Sequence, residues 1–338
     1  MDQPNLNTAV LVNAASCFVL KKSSAFSSDP RSEKIAIDIA LALQLRNLQR
    51  AIRFDHVVAH HIEAAAACAM AKIPFVYVAH TSLHEELPGY LPKRLATVSR
   101  QLARPLEQQL IRRSKRVAAV GPSLADHLAS NFGRQIDVWN IPWPVQTVAS
   151  SENRSRSRKL LGFHANEIVY LYAGNLDHYQ GWEDVVYAHS QARSKDRLRG
   201  VFVTGSDPSP LTELSTRIGT VENIQVLSMN DANRELASSA ADLAVIPRRV
   251  IGGVPIKLLD AMSRGIPTIA TRRATAGLPL EESALLVRDD QPFAMAQAID
   301  RFATEPSLRH ALGSNAYRYI AENHAHLDCA RKLAIFLD

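Results

Sequence analysis

The stretch Ile246 to Thr271, IPRRVIGGVPIKLLDAMSRGIPTIAT, reads as a strand end, a glycine turn, one short helix and a second strand. Gly252 and Gly253 let the backbone turn sharply and present its N–H groups, and Pro255 suits the first helical turn, where its missing donor costs nothing. Leu258, Leu259 and Met262 recur at helical spacing to form an apolar face, and Gly265 stands where the helix stops. A helix N-terminus offers free N–H groups and partial positive charge. Arg248, Arg249 and Lys257 lie within a few residues of this one, so the segment suits an anion, with phosphate the natural guest. Strand, glycine turn and helix also recur in every doubly wound α/β domain, and basic residues near a turn are commonly just solvated. The pattern alone therefore leaves a plain structural role open.

Outward from that stretch, the chain of 338 residues is long enough for two α/β domains, since single cores stop growing near about 250 to 300 residues. A hydrophobic share of 46% and a charged share of 21% are ordinary for a globular protein. No apolar run approaches the roughly 20 residues of a membrane span. Cys17, Cys68 and Cys329 are scattered without pairing or metal-type spacing, which points to a reducing cytoplasm and away from a disulfide scaffold, a zinc site or thiol chemistry. The run Ala9 to Leu20 has Lys21-Lys22 after it and no positive charge before it, the wrong polarity for a signal peptide, so it reads as a strand or loose leader. A net charge of +6 suits an anionic partner, nucleotide or phospholipid. Nucleic acid is disfavoured, because the basic residues are not interleaved with stacking aromatics.

Residues 1 to 88 contain no glycine, the first being Gly89. Close cradling of a phosphate by backbone N–H groups usually demands glycine, so a nucleotide loop belongs to the C-terminal half. Ser32 to Ala51 is expected as an amphipathic helix facing inward through Ile35, Ile39, Leu43 and Leu48. His56–Ala59 and Phe75–Ala79 are expected strands around an alanine-rich helix from Ile62 to Ala71, a βαβ unit that implies a parallel sheet. Chemistry then belongs at the strand C-terminal ends, where His60, His61 and Glu63, and His80, Thr81, Glu85 and Glu86 follow. His60-His61-x-Glu63 invites a metal reading, but adjacent residues do not share a helical face and no third ligand is in view.

Lys93 to Arg116 reads as a helix with Lys93, Arg94, Arg100, Arg104, Arg112, Arg113, Lys115 and Arg116 on one side and Leu95, Leu102, Leu106, Leu110 and Ile111 on the other, with Pro105 as kink or boundary. Its apolar face suits either the core or an anionic leaflet. Arg116–Val120 reads as a strand and Leu124–Asn131 as a helix capped by Ser123, with Val138–Ile141 as the last N-terminal strand. Pro142 to Lys159, rich in proline, serine and charge, reads as the linker. The domains expected are thus 1–145 and 158–313, with strands at Ile168–Ala173, Gly200–Gly205, Asn223–Leu227 and Leu243–Ile246 and a helix at Asn233–Ser239.

Pro247-Arg248, Gly253, Pro255, Lys257-Leu258, Ala261-Met262 and Gly265-Ile266-Pro267 resemble the C-terminal-domain signature of the retaining GT-B glycosyltransferases of family 4, over roughly residues 32 to 325 and most specifically at 246 to 271. The resemblance implies two Rossmann-like doubly wound α/β domains (the GT-B fold), the N-terminal one smaller than usual. It also implies a terminal helix, Ser314 to Asp338, crossing back onto the N-terminal domain. Family members open with a strand and a glycine-bearing loop that this chain does not match before Ser32, and a truncated start and a lost first unit stay equally open.

In that family Gly174-Asn175 and Gln180-Gly181 correspond to Gly-Arg, four residues, Lys-Gly, whose two cations neutralise the leaving diphosphate. Amides stand here instead, which puts the donor chemistry in doubt, so the resemblance hands the charge to Arg248 and Lys257. The donor site it implies comprises Gly174, Asn175, Gln180, Gly252, Gly253, Pro255 and Ile256. Asp260 would hold the ribose, and Gly252 stands where a second acid is usual. His80 would touch the transferred sugar, the alternative being a strand-end histidine bonded to a nearby carbonyl.

The expectation is a hexosyltransferase-type enzyme that moves sugar from a UDP- or GDP-sugar to a glycan or lipid-linked acceptor with retention, for polysaccharide of the cell envelope. It needs no metal cofactor, because fixed cations replace one. It is expected in the cytoplasm, resting peripherally on the inner membrane face through Lys93–Arg116. The rivals are a catalytically inactive, nucleotide-binding relative, since the departures cluster at the donor site, and a nucleotide-sugar epimerase, whose carboxylate constellation is not visible.

Overall fold

A computed structural model describes residues 32–52, 54–87, 93–250 and 252–337, without the side chains of 32–38, 86 and 93–96. The readings placed on Ala9–Leu20, Cys17 and Gly89 lie outside these residues, as do those on the side chains of Ile35, Glu86, Lys93, Arg94 and Leu95. The chain divides into two compact units. One contains the residues up to Ala119 and His127–Asp137, and the other contains Val120–Asp126 and Val138–Phe336.

The first unit carries α1 (Ser32–Ala51), β1 (Val58–His60), α2 (His61–Ala71), β2 (Val76–Ala79), α3 (Leu83–Glu86), α4 (Lys93–Arg113), β3 (Val117–Ala119), part of α5 (Pro122–Phe132) and the start of β4 (Asp137–Val138). The strand order is β1-β2-β3-β4, with β1–β2 and β2–β3 parallel. The β2 residues are buried on both faces, as the unbroken run VYVA requires of a covered parallel sheet.

Two helical faces differ from expectation. In α1 the core takes Leu41, Ala42 and Leu45, whereas Ile39 and Leu43 point outward. In α4 Leu110 and Ile111 are buried, but Leu102 is 70% exposed and Leu106 47% exposed, and the inward side also takes Ser99, Ala103 and Glu107. Periodicity locates a helix; packing against α2 and α3 decides which side turns in. Pro105 lies inside α4 and marks no boundary.

The second unit follows with α6 (Ser151–Leu160), β5 (Ile168–Ala173), α7 (Trp182–Gln191), β6 (Leu198–Thr204), α8 (Ser209–Arg217), β7 (Ile224–Ser228), α9 (Asp231–Ala240), β8 (Leu243–Ile246), α10 (Ile256–Ser263), β9 (Thr268–Thr271), β10 (Ala284–Val287), α11 (Pro292–Thr304), α12 (Pro306–Asn323) and α13 (His326–Leu337). The sheet order is β10-β9-β8-β5-β6-β7, all neighbours parallel. From β5 the chain winds outward through β6 and β7, then returns to β8 and winds the other way. The order therefore reverses between β5 and β8, the position at which open α/β sheets commonly bind their ligands.

Part of the expected linker is helix. Ser150 accepts from the Asn153 N–H to cap α6, whose Arg158 is buried and bonded to Asp242, with Arg154 on the other oxygen of the same carboxylate. Arg158 also donates to the carbonyls of Ala240, Ala165 and Glu167, and Asp242 accepts from the Val169 N–H, so polar residues that read as solvated fasten α6 under the sheet. The expected terminal helix is two helices. Ala316 and Ile320 of α12 pack with Leu258, Leu259 and Met262 of α10, inside the second unit. The helix α5 begins at Pro122, so Ser123 does not cap it; its N–H donates to the Ala276 carbonyl.

Candidate functional site

Two loops leave the switch point of the second unit, Gly174–Gly181 after β5 and Pro247–Pro255 after β8. They are held together by contacts that leave little latitude. Gly181 has φ 70°, and a Cβ there would stand 1.9 Å from the Pro247 carbonyl oxygen, so the two backbones touch only because residue 181 is glycine. The Arg249 N–H donates to the Tyr179 carbonyl, and Thr271 at the end of β9 donates its hydroxyl to the Arg248 carbonyl.

Of the three cations near the glycine turn, Arg249 is spent on structure. It holds Asp184 of α7 through two bonds of 3.0 and 2.6 Å and approaches Glu183 at 3.3 Å. Burial disfavours its charge, and the carboxylates of Asp184, Glu183 and Asp290 more than offset that. This removes Arg249 from the anion-binding set read in the sequence.

Arg248 and Lys257 remain. The Arg248 guanidinium folds over the turn, donating from Nη1 to the Gly253 carbonyl at 2.9 Å. A Cβ on Gly252 would meet Nη2 at 2.5 Å, so glycine there leaves room for a cation. Lys257, on the first turn of α10, runs toward the β5 loop. Its Nζ stands 4.7 Å from the centroid of the Tyr172 ring and 2.7 Å from where Gly174 would carry a Cβ. The lysine stem is partly exposed, but Nζ is buried, and among the described residues it has no hydrogen-bond partner. Burial, and then the charge of Arg248, lower its pKa to about 7 against a weaker pull from Asp177. A buried ammonium without a hydrogen-bond partner is costly, and groups perturbed in this way cluster at functional sites.

The remaining expected donor residues lie around this pair. Pro255 is the residue before α10, at ψ 127°, one position earlier than expected, and Ile256, 58% exposed, opens the helix. Gln180 sits on a single 3₁₀ turn with its amide oxygen buried and, among the described residues, without a hydrogen-bond partner. Asn175 is exposed and its carbonyl accepts from the Tyr172 hydroxyl at 2.6 Å. Asp260 is one turn along α10 and 3.4 Å from Arg264, which also holds Glu235, so its carboxylate faces an arginine.

In the first unit His80 follows β2, its Nε2 3.1 Å from His60 Nδ1. Burial, followed by the charges of His60 and His61, lowers the His80 pKa to about 4, so the ring is neutral at physiological pH. Its ring partner is a histidine neighbour, where the alternative to a sugar contact expects a nearby carbonyl. His61 bonds Glu63 and takes φ 72°, a left-handed conformation that costs a non-glycine residue about 1 to 2 kcal/mol.

Sequence profiles agree with this architecture. That of "Glycosyl transferases group 1" matches residues 153–319, and that of "Glycosyltransferase Family 4" matches residues 23–147. The chain belongs to glycosyltransferase family 4. A D-inositol 3-phosphate glycosyltransferase of Corynebacterium diphtheriae is 24% identical over 285 residues, covering 77% of this chain and 64% of that protein. The chain spans less than two thirds of the length of the curated relatives it matches, 58% to 65%. Among solved structures, a sucrose-phosphate synthase from Thermosynechococcus elongatus superposes with a TM-score of 0.77 at 17% identity, covering 93% of this chain and 80% of its own. HepE from Anabaena, solved in complex with UDP-glucose, gives 0.72 at 18%, covering 88% and 81%. At such identities the likeness is one of fold, and the fold is GT-B, with two parallel-sheet α/β domains.

Proposed function

We propose that the chain transfers a sugar from a nucleotide-sugar donor to a glycan or lipid-linked acceptor with retention of anomeric configuration. The observation that carries this reading is the buried, unpartnered Nζ of Lys257 beside the Arg248 guanidinium at the switch point of the second unit. A diphosphate gains charge as its bond to the sugar breaks, and preorganised cations in a site that excludes water stabilise that charge without reorganising. Lys257 and Arg248 supply it, helped by the first N–H groups of α10; Asp260 holds the ribose once Arg264 yields to it, and His80 touches the sugar as a neutral hydrogen-bonding ring. The similar structure solved with UDP-glucose supports UDP-sugars as the first donors to try, with GDP-sugars next.

The outer side of α4 supports contact with anionic lipid. Val98, Leu102 and Leu106 form an exposed apolar stripe that runs toward the exposed Arg112 and Arg113 at the end of the helix, which suits a lipid-linked acceptor at a membrane surface. Among the described residues no helix is long and apolar enough to cross a membrane.

A second reading, a nucleotide-binding relative without turnover, is favoured by the amides at Asn175 and Gln180 and by Gly252, where the family carries two cations and an acid. Purified protein is mixed with a panel of UDP- and GDP-sugars and lipid and glycan acceptors, and released nucleoside diphosphate is measured. Release is expected, falling by roughly 10²- to 10³-fold in Lys257→Ala, the size of effect seen when one charge-stabilising donor is removed. Binding without release across the panel supports the second reading, and equal release by Lys257→Ala overturns the site.

A further inference from the structure

The first unit holds a second cluster of chemistry-bearing side chains that the proposed reaction does not use. Glu107 of α4 is fully buried, and it is not left to its charge alone. Its Oε1 accepts from the Leu83 N–H at 3.0 Å; its Oε2 accepts from His84 Nδ1 at 2.6 Å, with the His84 N–H and the Ser82 hydroxyl each at 3.3 Å. A carboxylate receiving a proton from Nδ1 fixes the tautomer of His84, so that Nε2 presents its lone pair. That nitrogen lies 3.7 Å from Glu85 Oε1, while the other oxygen of Glu85 is bonded to Arg100. On α5 the His127 ring is stacked against His84, centroids 5.2 Å apart and planes 18° from parallel. Its ring nitrogens are 3.4 and 3.5 Å from the Asn131 side-chain nitrogen, at the edge of hydrogen-bond range.

One ligand atom from each of His84, Glu85 and His127 lies within 4.8 Å of the others. Two ligands about 2.1 Å from one tetrahedral ion stand roughly 3.4 Å apart, so the three need to close by at most about 1.4 Å. The adjustment falls on Glu85, with its side chain 38% exposed, which gives up Arg100, and on the half-buried His127, whose ring turns out of its stack to aim a lone pair at the ion, while His84, 5% exposed, is the fixed member. The geometry points to a divalent transition-metal site, zinc by preference, with His84 Nε2, Glu85 and His127 as ligands, Glu107 as the carboxylate that orients His84, and the fourth position open to water. Two imidazoles and one carboxylate are a donor set suited to zinc, and the buried carboxylate behind a ligating histidine is the usual companion of such sites. The metal clasps the turn at Leu83–Glu86, which follows β2, to α5. The site stands independently of the donor reading, because none of its residues belongs to the second unit.

The test titrates chelator-treated full-length protein with Zn²⁺ against a chromophoric chelator, and with Co²⁺ by visible absorption. One equivalent of each is expected, with Co²⁺ spectra of a four- or five-coordinate nitrogen and oxygen site and no thiolate charge-transfer band. Zn²⁺ is also expected to raise the melting temperature. Glu107→Gln should weaken binding about 10- to 100-fold. Because Glu107 and His84 are buried and their replacement perturbs folding, the decision rests on the less buried Glu85→Gln and His127→Ala, each losing at least about tenfold with circular dichroism unchanged. His61→Ala, in the other histidine cluster, should keep the full equivalent. Absence of saturable binding overturns the site, as does binding that survives both Glu85→Gln and His127→Ala or disappears in His61→Ala.

Discussion

At the scale of single residues, the account turns on one buried ammonium that has no hydrogen-bond partner among the described residues. Lys257 reads in the sequence as one of three cations near a turn, and the sequence does not say which of them is occupied. Arg249 differs in having carboxylates within reach, above all Asp184, a contact between residues 65 positions apart. The depressed pKa of Lys257 has a consequence for stability. Between about 7 and the ordinary lysine value the unfolded chain holds a proton that the folded chain has released, so stability rises with pH across that window. The penalty of the buried charge is fully present below about pH 7. Lys257→Met should therefore be more stable than the natural protein at pH 6, with the advantage shrinking by pH 9. Urea midpoints at the two pH values measure this, and an advantage that grew with pH would contradict the burial of Nζ.

At the scale of elements, both the reach and the limit of sequence reading are visible. The stretch from Ile246 to Thr271 yields β8, the turn, α10 and β9 nearly to the residue, because a continuous apolar strand, paired glycines and a terminating Gly265 each have one local meaning. Elements without such marks escape: α6 is built from SENRSRSRKL, whose serines and arginines read as solvated until Asp242 is brought under them from 84 positions away. Asp242→Ala leaves Arg158 buried and uncompensated and should cost about 3 to 5 kcal/mol in the unfolding of the second unit, read from chemical denaturation. Gly181 was legible as half of a loop motif but not as a steric requirement, since Pro247 is far away in sequence. Gly181→Ala forces a Cβ against that carbonyl at a positive φ and should destabilise by about 1 to 3 kcal/mol. It should also weaken nucleotide binding by separating the two loops, an effect calorimetry detects.

At the scale of the whole molecule, strand-helix alternation sufficed for two parallel-sheet α/β units. What packing decides stayed hidden, as with Glu107 in the core and the true inward side of α1, or stayed open, as with α4, where Leu102 and Leu106 turn out to join Val98 in an outward stripe. If that stripe rests on lipid, the natural protein should co-sediment with vesicles containing anionic phospholipid, more weakly at high salt, and the double change Leu102→Asp and Leu106→Asp should reduce binding several-fold with the fold retained. Equal sedimentation of both proteins would remove the membrane from the account. The most direct measurement is calorimetric titration of UDP and GDP at pH 8 in two buffers of different ionisation enthalpy, using the natural protein and Lys257→Ala. Binding accompanied by uptake of up to one proton in the natural protein, with affinity lowered at least about tenfold and the uptake lost in Lys257→Ala, is the predicted result. Nucleotide binding that takes up no proton and is indifferent to Lys257 would contradict it.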